Sequence, residues 1–153
     1  SLGTEVIAPG VDFRERYGAV EFTIRAAPAA TENDSSLVTL VRYREFSAAF
    51  AGDISEVREA RIPWPKLSVL LAPHHGSKTS SSELMLRASS PELVVLSVGR
   101  HNRYHMPHPS VLRRLRAYRV RMLRTDEDGG VFIESDGHSW RARTRAKRFR
   151  GAN

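Results

Sequence analysis

Two short stretches concentrate the side chains that can do chemistry. Residues 73–80 read Pro73-His74-His75-Gly76-Ser77-Lys78-Thr79-Ser80, and residues 102–109 read Asn102-Arg103-Tyr104-His105-Met106-Pro107-His108-Pro109. All six histidines follow residue 73, and His74, His75, His105 and His108 fall in these stretches. Imidazole is both a metal ligand and an acid or base near neutral pH. In an extended segment adjacent side chains point to opposite sides, so one of His74 and His75 can ligate a metal while the other contacts substrate or packs. Gly76 permits a sharp turn, and Ser77, Lys78 and Thr79 ahead of a helix start make a cradle for phosphate; the alternative is a plain polar loop. The second stretch can grip a phosphodiester through imidazole, amide and guanidinium, or be a capped loop stiffened by proline. Gly52-Asp53 adds a carboxylate able to bridge two cations, or else a turn that caps the next helix. With no cysteine in the chain, any metal must be held by His, Asp or Glu.

Positioning such groups requires rigid elements that end where the groups lie. Thr4 to Ala8 and Ala19 to Arg25 have strand character. The segment from Ala26 to Ser36 is loop-like, and Asn33-Asp34 supplies turn chemistry. Leu37 to Tyr43 and Phe46 to Ala51, separated by Arg44-Glu45, predict a hairpin. Ile54 to Arg61 then predicts a short helix ended by Pro63-Trp64-Pro65, and Lys66 to Ala72 a buried strand. Ser80 or Ser81 can cap a helix through about Ala88, Leu93 to Val98 is a hydrophobic strand, and Pro109 suits the first turn of a helix to Tyr118. Val120 to Arg124 is a further strand. Asp126 to Gly130 turns the chain into Val131 to Ser135, which pairs with Ser139 to Arg143 as a terminal hairpin. The histidine stretches therefore each follow a buried strand. Local strand pairing first and strand–helix alternation later predict an α/β fold, a mixed sheet with helices on one face.

The 153 residues suffice for one core, and the apolar runs Leu67 to Ala72 and Leu93 to Val98 are far short of the ~20 residues a bilayer span needs. No export signal is visible at the N-terminus. Charge is unevenly placed: residues 1–112 balance 12 basic against 12 acidic groups, whereas residues 113–153 carry 12 against 5. The whole surplus of +7 lies in the last quarter. Of the 24 basic residues only Lys66, Lys78 and Lys147 are lysines, and arginine forks suit bidentate phosphate contacts. An anionic partner fits this distribution, as does a solvated basic end.

The order Asn33-Asp34-Ser35-Ser36-Leu37-Val38, Ala51-Gly52-Asp53, Pro73 to Ser80, Ser97-Val98-Gly99 with Asn102-Arg103-Tyr104 and Pro107-His108-Pro109, and Arg124-Thr125-Asp126-Glu127-Asp128-Gly129 resembles one known domain. It is the metallo-β-lactamase-like domain of the ComEC competence family, which internalises transforming DNA, matched over about Val20 to Ile133. The resemblance implies an αββα hydrolase fold, a divalent metal (Zn or Mn), a nuclease role on DNA during uptake, and a place on the outer face of the cytoplasmic membrane within a membrane-anchored parent. Carried over by position, Asp53 is the bridging carboxylate and His75 the late histidine ligand, with His74 and His108 as catalytic candidates. Phosphate or DNA contacts fall to Ser77, Lys78, Thr79, Asn102, Arg103, Arg113, Arg114 and Arg116. Two departures stand out. The family's His-x-His/Asp-x-Asp-His motif, source of most metal ligands, has no counterpart, so residues 1–143 resemble the C-terminal half of the domain, followed by a basic tail over 144–153. Where the family commonly has Gly-His-Pro, this chain has His105-Met106-Pro107, with Met106 at the histidine's position.

Two ligands are too few for a binuclear centre. The expectation is therefore a hydrolase half completed by the missing N-terminal half or by a second copy in a homodimer, in which two open sheets pack together. The competing expectation is a non-catalytic DNA-binding module that uses the basic Arg113–Arg124 and Arg141–Arg150 segments. A third is a hydrolase of small phosphoesters or acyl compounds, since fold does not fix function.

Overall fold

A computed structural model describes residues 12–26, 31–145 and 148–151. The strand expected at Thr4 to Ala8 lies outside the described residues. The first half of the chain alternates and pairs locally, giving antiparallel strands β1 (Phe13–Tyr17), β2 (Val20–Arg25), β3 (Val38–Tyr43) and β4 (Phe46–Phe50). Continuous apolar runs then supply β5 (Val69–Leu71) and β6 (Leu93–Leu96), with β7 (Arg121–Arg124) beside them. β4 to β7 pair in parallel, and the seven strands lie in the sheet in chain order.

Parallel strands need crossovers, and short helices provide them: α1 (Glu56–Glu59) after β4, α2 (Glu83–Ser89) after β5 and α3 (Pro109–Ala117) after β6. A one-turn helix α4 (Thr125–Asp128) follows β7 and leads to a second sheet of β8 (Phe132–Ser135), β9 (Trp140–Arg143) and β10 (Arg148–Arg150), in the order β10-β9-β8.

The strand periodicity of two sorts the core into two layers. Leu70, Val94 and Leu96 face the helices with Ile54, Trp64, Met85, Leu86, Val111 and Leu115. Val69, Leu93, Val95 and Leu123 face the other way, against Trp140 and Ala142 of the second sheet. All four residues of β6 are buried, which is why that strand is apolar without alternation. The result is a mixed α/β fold with its helices on one face, as the sequence predicts. The other face carries the second sheet.

Several boundaries shift. The 54–61 helix contracts to one turn, and Ser82, whose side chain accepts from the Met85 amide, caps α2 instead of Ser80 or Ser81. β1 was not expected: Phe-Arg-Glu-Arg-Tyr has only its ends apolar, which an edge strand tolerates. The segment read as a basic tail contributes β10, with Arg148 opposite Arg143 and Arg150 opposite Arg141. Its three residues cannot declare a strand alone; the free edge of β9 supplies the pairing.

Candidate metal and phosphate site

The four parallel strands β4 to β7 end at one edge of the sheet, and each releases a candidate group there: Gly52-Asp53, His74-His75, Ser97 and Thr125. Open α/β sheets place ligands at the carboxyl ends of parallel strands.

Asp53 stands on a turn built by the Asn33–Ser36 segment. Gly52 has φ +60°, and a Cβ there would lie 2.7 Å from the Ser36 Cβ. The Ser36 hydroxyl accepts the Asp53 amide at 3.2 Å, while Asp34 accepts the Ser55 amide at 2.7 Å and the Ser55 hydroxyl at 3.0 Å. That backbone hydrogen bond holds the Asp34 carboxyl below the usual carboxylate range. Asp34 and Ser36 thus fix both sides of Asp53, a role their place in the Asn-Asp-Ser-Ser motif signalled without explaining.

The histidine loop is not extended. His74, His75 and Gly76 have φ of 47°, 55° and 79°, three consecutive left-handed residues, so the extended backbone considered for the histidine pair is not what the loop adopts. Each left-handed non-glycine residue costs roughly 1–2 kcal/mol, and the surroundings fix the shape. The His74 amide donates to Gly52 O at 2.9 Å, the Ser77 amide to His74 O at 2.9 Å, and the His108 amide to Gly76 O at 2.8 Å. A Cβ on Gly76 would sit 2.8 Å from Leu96 Cδ2 and 2.9 Å from Pro107 Cβ. The buried Ser80 hydroxyl reaches Pro73 O at 2.8 Å and Ser77 O at 3.0 Å.

Within this frame His75 Nδ1 lies 2.7 Å from Ser97 O. A carbonyl only accepts, so Nδ1 carries a proton, and in the neutral ring the lone pair is on Nε2. Nε2 is 3.7 Å from Asp53 Oδ1. Two ligands on one tetrahedral ion with bonds of about 2.0–2.1 Å are about 3.4 Å apart, and a second imidazole nitrogen bonded to a carbonyl is the usual brace of a metal-binding histidine. Asp53 and His75 fit as two donors to one cation. Among the described residues no cluster of three or more His, Cys, Asp or Glu is placed to hold a metal.

The remaining candidates divide. Lys78 and Thr79 are exposed, with the Thr79 hydroxyl 3.2 Å from that of buried Ser77. Arg113 and Arg116 are exposed on α3, and Arg103 stacks over Tyr104 at 4.9 Å. By contrast Asn102 closes its own loop: its amide donates to Gly99 O and Met106 O and its oxygen accepts the Met106 amide. Arg114 donates to Ser80 O and Ser81 O at 3.0 and 2.7 Å, fastening α3 to the histidine loop. His108 is the N-cap of α3, its Nδ1 3.2 Å from the Ser110 amide and 2.6 Å from the Ser110 hydroxyl.

Two further residues support the site. Thr125 Oγ1 donates to Val98 O and accepts the Val98 amide, both at 2.7 Å, pinning the segment that carries Ser97. Glu59, 1% exposed, accepts the Ser81 and Ser82 amides at 2.6 and 2.8 Å, and burial pushes its carboxyl up. No local pattern marks Glu59; its partners lie 22 and 23 residues away.

No family model matches the chain. It is 36% identical over 110 residues to ComE operon protein 3 of Bacillus subtilis, covering 69% of this chain and 14% of that protein. It is 36% identical over 105 residues to Recombination protein 2 of Haemophilus influenzae, covering 67% of this chain and 13% of that protein. To Competence protein ComA of Neisseria gonorrhoeae it is 48% identical over 63 residues, covering 41% of this chain and 9% of that protein. The chain thus spans under a sixth of the length of these curated relatives.

Proposed function

The chain is a competence-family protein, and from that premise we propose that its site is part of a metal-dependent hydrolase centre acting on DNA during uptake, as in the C-terminal half of a metallo-β-lactamase-like domain. The observation that carries this reading is the Asp53–His75 pair, 3.7 Å apart at the ends of adjacent parallel strands, with the imidazole braced by Ser97 O. When bound, a divalent ion such as Zn²⁺ or Mn²⁺ supplies Lewis acidity toward a phosphodiester. Asp53 and His75 would hold it. Lys78 offers its ammonium, and Ser77 and Thr79 their hydroxyls, to the phosphate, and His74 is the imidazole next in sequence that can carry a proton. The further ligands come from a segment not among these residues or from a second copy of the chain. No helix among the described residues is long and apolar enough to cross a membrane; placement on the outer face of the cytoplasmic membrane belongs to the whole parent protein and is part of this proposal.

The test is elemental analysis and Zn²⁺ and Mn²⁺ titration of the purified chain, with its mass in solution measured in parallel. Binding that weakens at least tenfold in both Asp53→Ala and His75→Ala is expected. Equal metal retention by the wild type and both variants would remove the pair from any centre.

A further inference from the structure

The outer face of the second sheet carries a regular array of charged and aromatic side chains. Its register places Phe132, Arg143 and Arg148 in one row across three strands, and Glu134, Arg141 and Arg150 in the next. Trp140 and Ala142 point inward to the core, so these six side chains share the solvent face by strand alternation. Phe132 is 58% exposed, with the Arg143 guanidinium 4.9 Å from its ring centroid.

This arrangement works against the sheet's own stability. Like charges directly opposite across strands repel, yet Arg143 faces Arg148 and Arg141 faces Arg150. Glu134 compensates in part, its carboxylate accepting from Arg141 at 3.0 Å and approaching Arg143 Nε at 3.4 Å. Four guanidinium groups against one carboxylate leave a strong positive excess on a face two residues deep. Along each strand the paired arginines are about 6.6–6.8 Å apart, a spacing close to that of successive phosphates on an extended nucleic-acid strand. An exposed ring on a flat sheet is the other half of such a surface, because stacking on an aromatic side chain recognises unpaired bases irrespective of sequence. Phe132 opens β8, four residues after the end of α4.

We propose that this face binds single-stranded DNA, with Arg141, Arg143, Arg148 and Arg150 on consecutive phosphates and Phe132 stacked on a base. The proposal rests on the reading of the chain as acting on DNA, and is independent of metal.

The test measures binding of the full chain to fluorescent dT20, in EDTA, as a function of NaCl concentration. An abasic oligomer of equal length serves as a second probe. Replacing the four arginines by Gln is expected to lower the slope of log K against log salt by about 3, at roughly 0.7 for each phosphate no longer neutralised. Arg14→Gln with Arg16→Gln on β1 leaves the slope unchanged. Phe132→Ala is expected to weaken dT20 binding roughly tenfold while leaving the slope and abasic binding as they are. Circular dichroism checks that the variants fold, which the exposure of all five side chains favours. An unaltered slope in the Gln variant, or dT20 affinity indifferent to Phe132, overturns the proposal. So does arginine-dependent capture by phosphatidylglycerol vesicles without binding of dT20, which would make the face a membrane-surface contact. Because EDTA is present throughout, no metal contributes to this binding, and failure here is distinct from failure of the metal reading.

Discussion

Gly76 is the residue on which the candidate site turns. It follows two left-handed histidines, and the space where a side chain would go is filled by Leu96 and Pro107. Gly76→Ala combines an unfavourable φ with an overpacked contact, and a loss of about 2–4 kcal/mol in urea unfolding is expected; a loss under ~1 kcal/mol would mean the loop relaxes easily. At this scale the sequence is informative about chemistry and uninformative about conformation. His74 and His75 are conspicuous by type, but their identity does not announce left-handed backbone, because only a few per cent of non-glycine residues adopt it. His105 shows the same limit from the other side. Its φ is 52°, and it occupies the position where the resembling family commonly carries glycine, a residue that takes such a φ without strain. Asn102 and Arg114 were legible as polar and basic but not as structural, since the carbonyls that absorb them are fixed only once the loops meet.

Among the elements, α1 and α2 are coupled through one buried carboxylate. Glu59 receives two amides at the start of α2, and these backbone partners offset part of the burial that raises its pKa. Gln can accept only one of those amides well, so Glu59→Gln is expected to cost about 1–3 kcal/mol. The pH dependence has a definite sign. A carboxyl whose folded pKa lies above its unfolded value contributes most below the unfolded value, near pH 4.5, and loses that contribution as pH rises through the folded value. The gap between wild type and Glu59→Gln is therefore largest at about pH 4 and narrows toward neutrality in urea midpoints; a gap that widens would contradict the burial argument. The strands of the main sheet were readable where periodicity or unbroken apolar runs are strong, as in the β3–β4 hairpin and in β6. β10 was not, because Arg148-Phe149-Arg150 gains strand character only from the edge of β9. Residue Asp53 was placed correctly at a strand end, whereas its supports Asp34 and Ser36 come from a loop 17 to 19 residues earlier, a distance over which no local rule operates.

At the level of the whole molecule the two faces of the main sheet are covered unequally. Helices close one face, and the second sheet reaches only part of the other, leaving an apolar recess lined by Phe22, Val41, Phe46, Phe50, Leu71 and Ile133. Phe50 is 49% exposed there. Such a recess should bind the dye anilinonaphthalene sulfonate in the folded state, and Phe50→Ser is expected to cut its fluorescence by at least half while changing stability by under ~1 kcal/mol. Unchanged fluorescence would place the dye elsewhere. The strict order of the main sheet, each strand beside its predecessor from β1 to β7, has a separate consequence. No strand must be threaded between two that are already paired, so as the chain leaves the ribosome each new strand meets a finished edge, and the sheet can be assembled in the direction of translation.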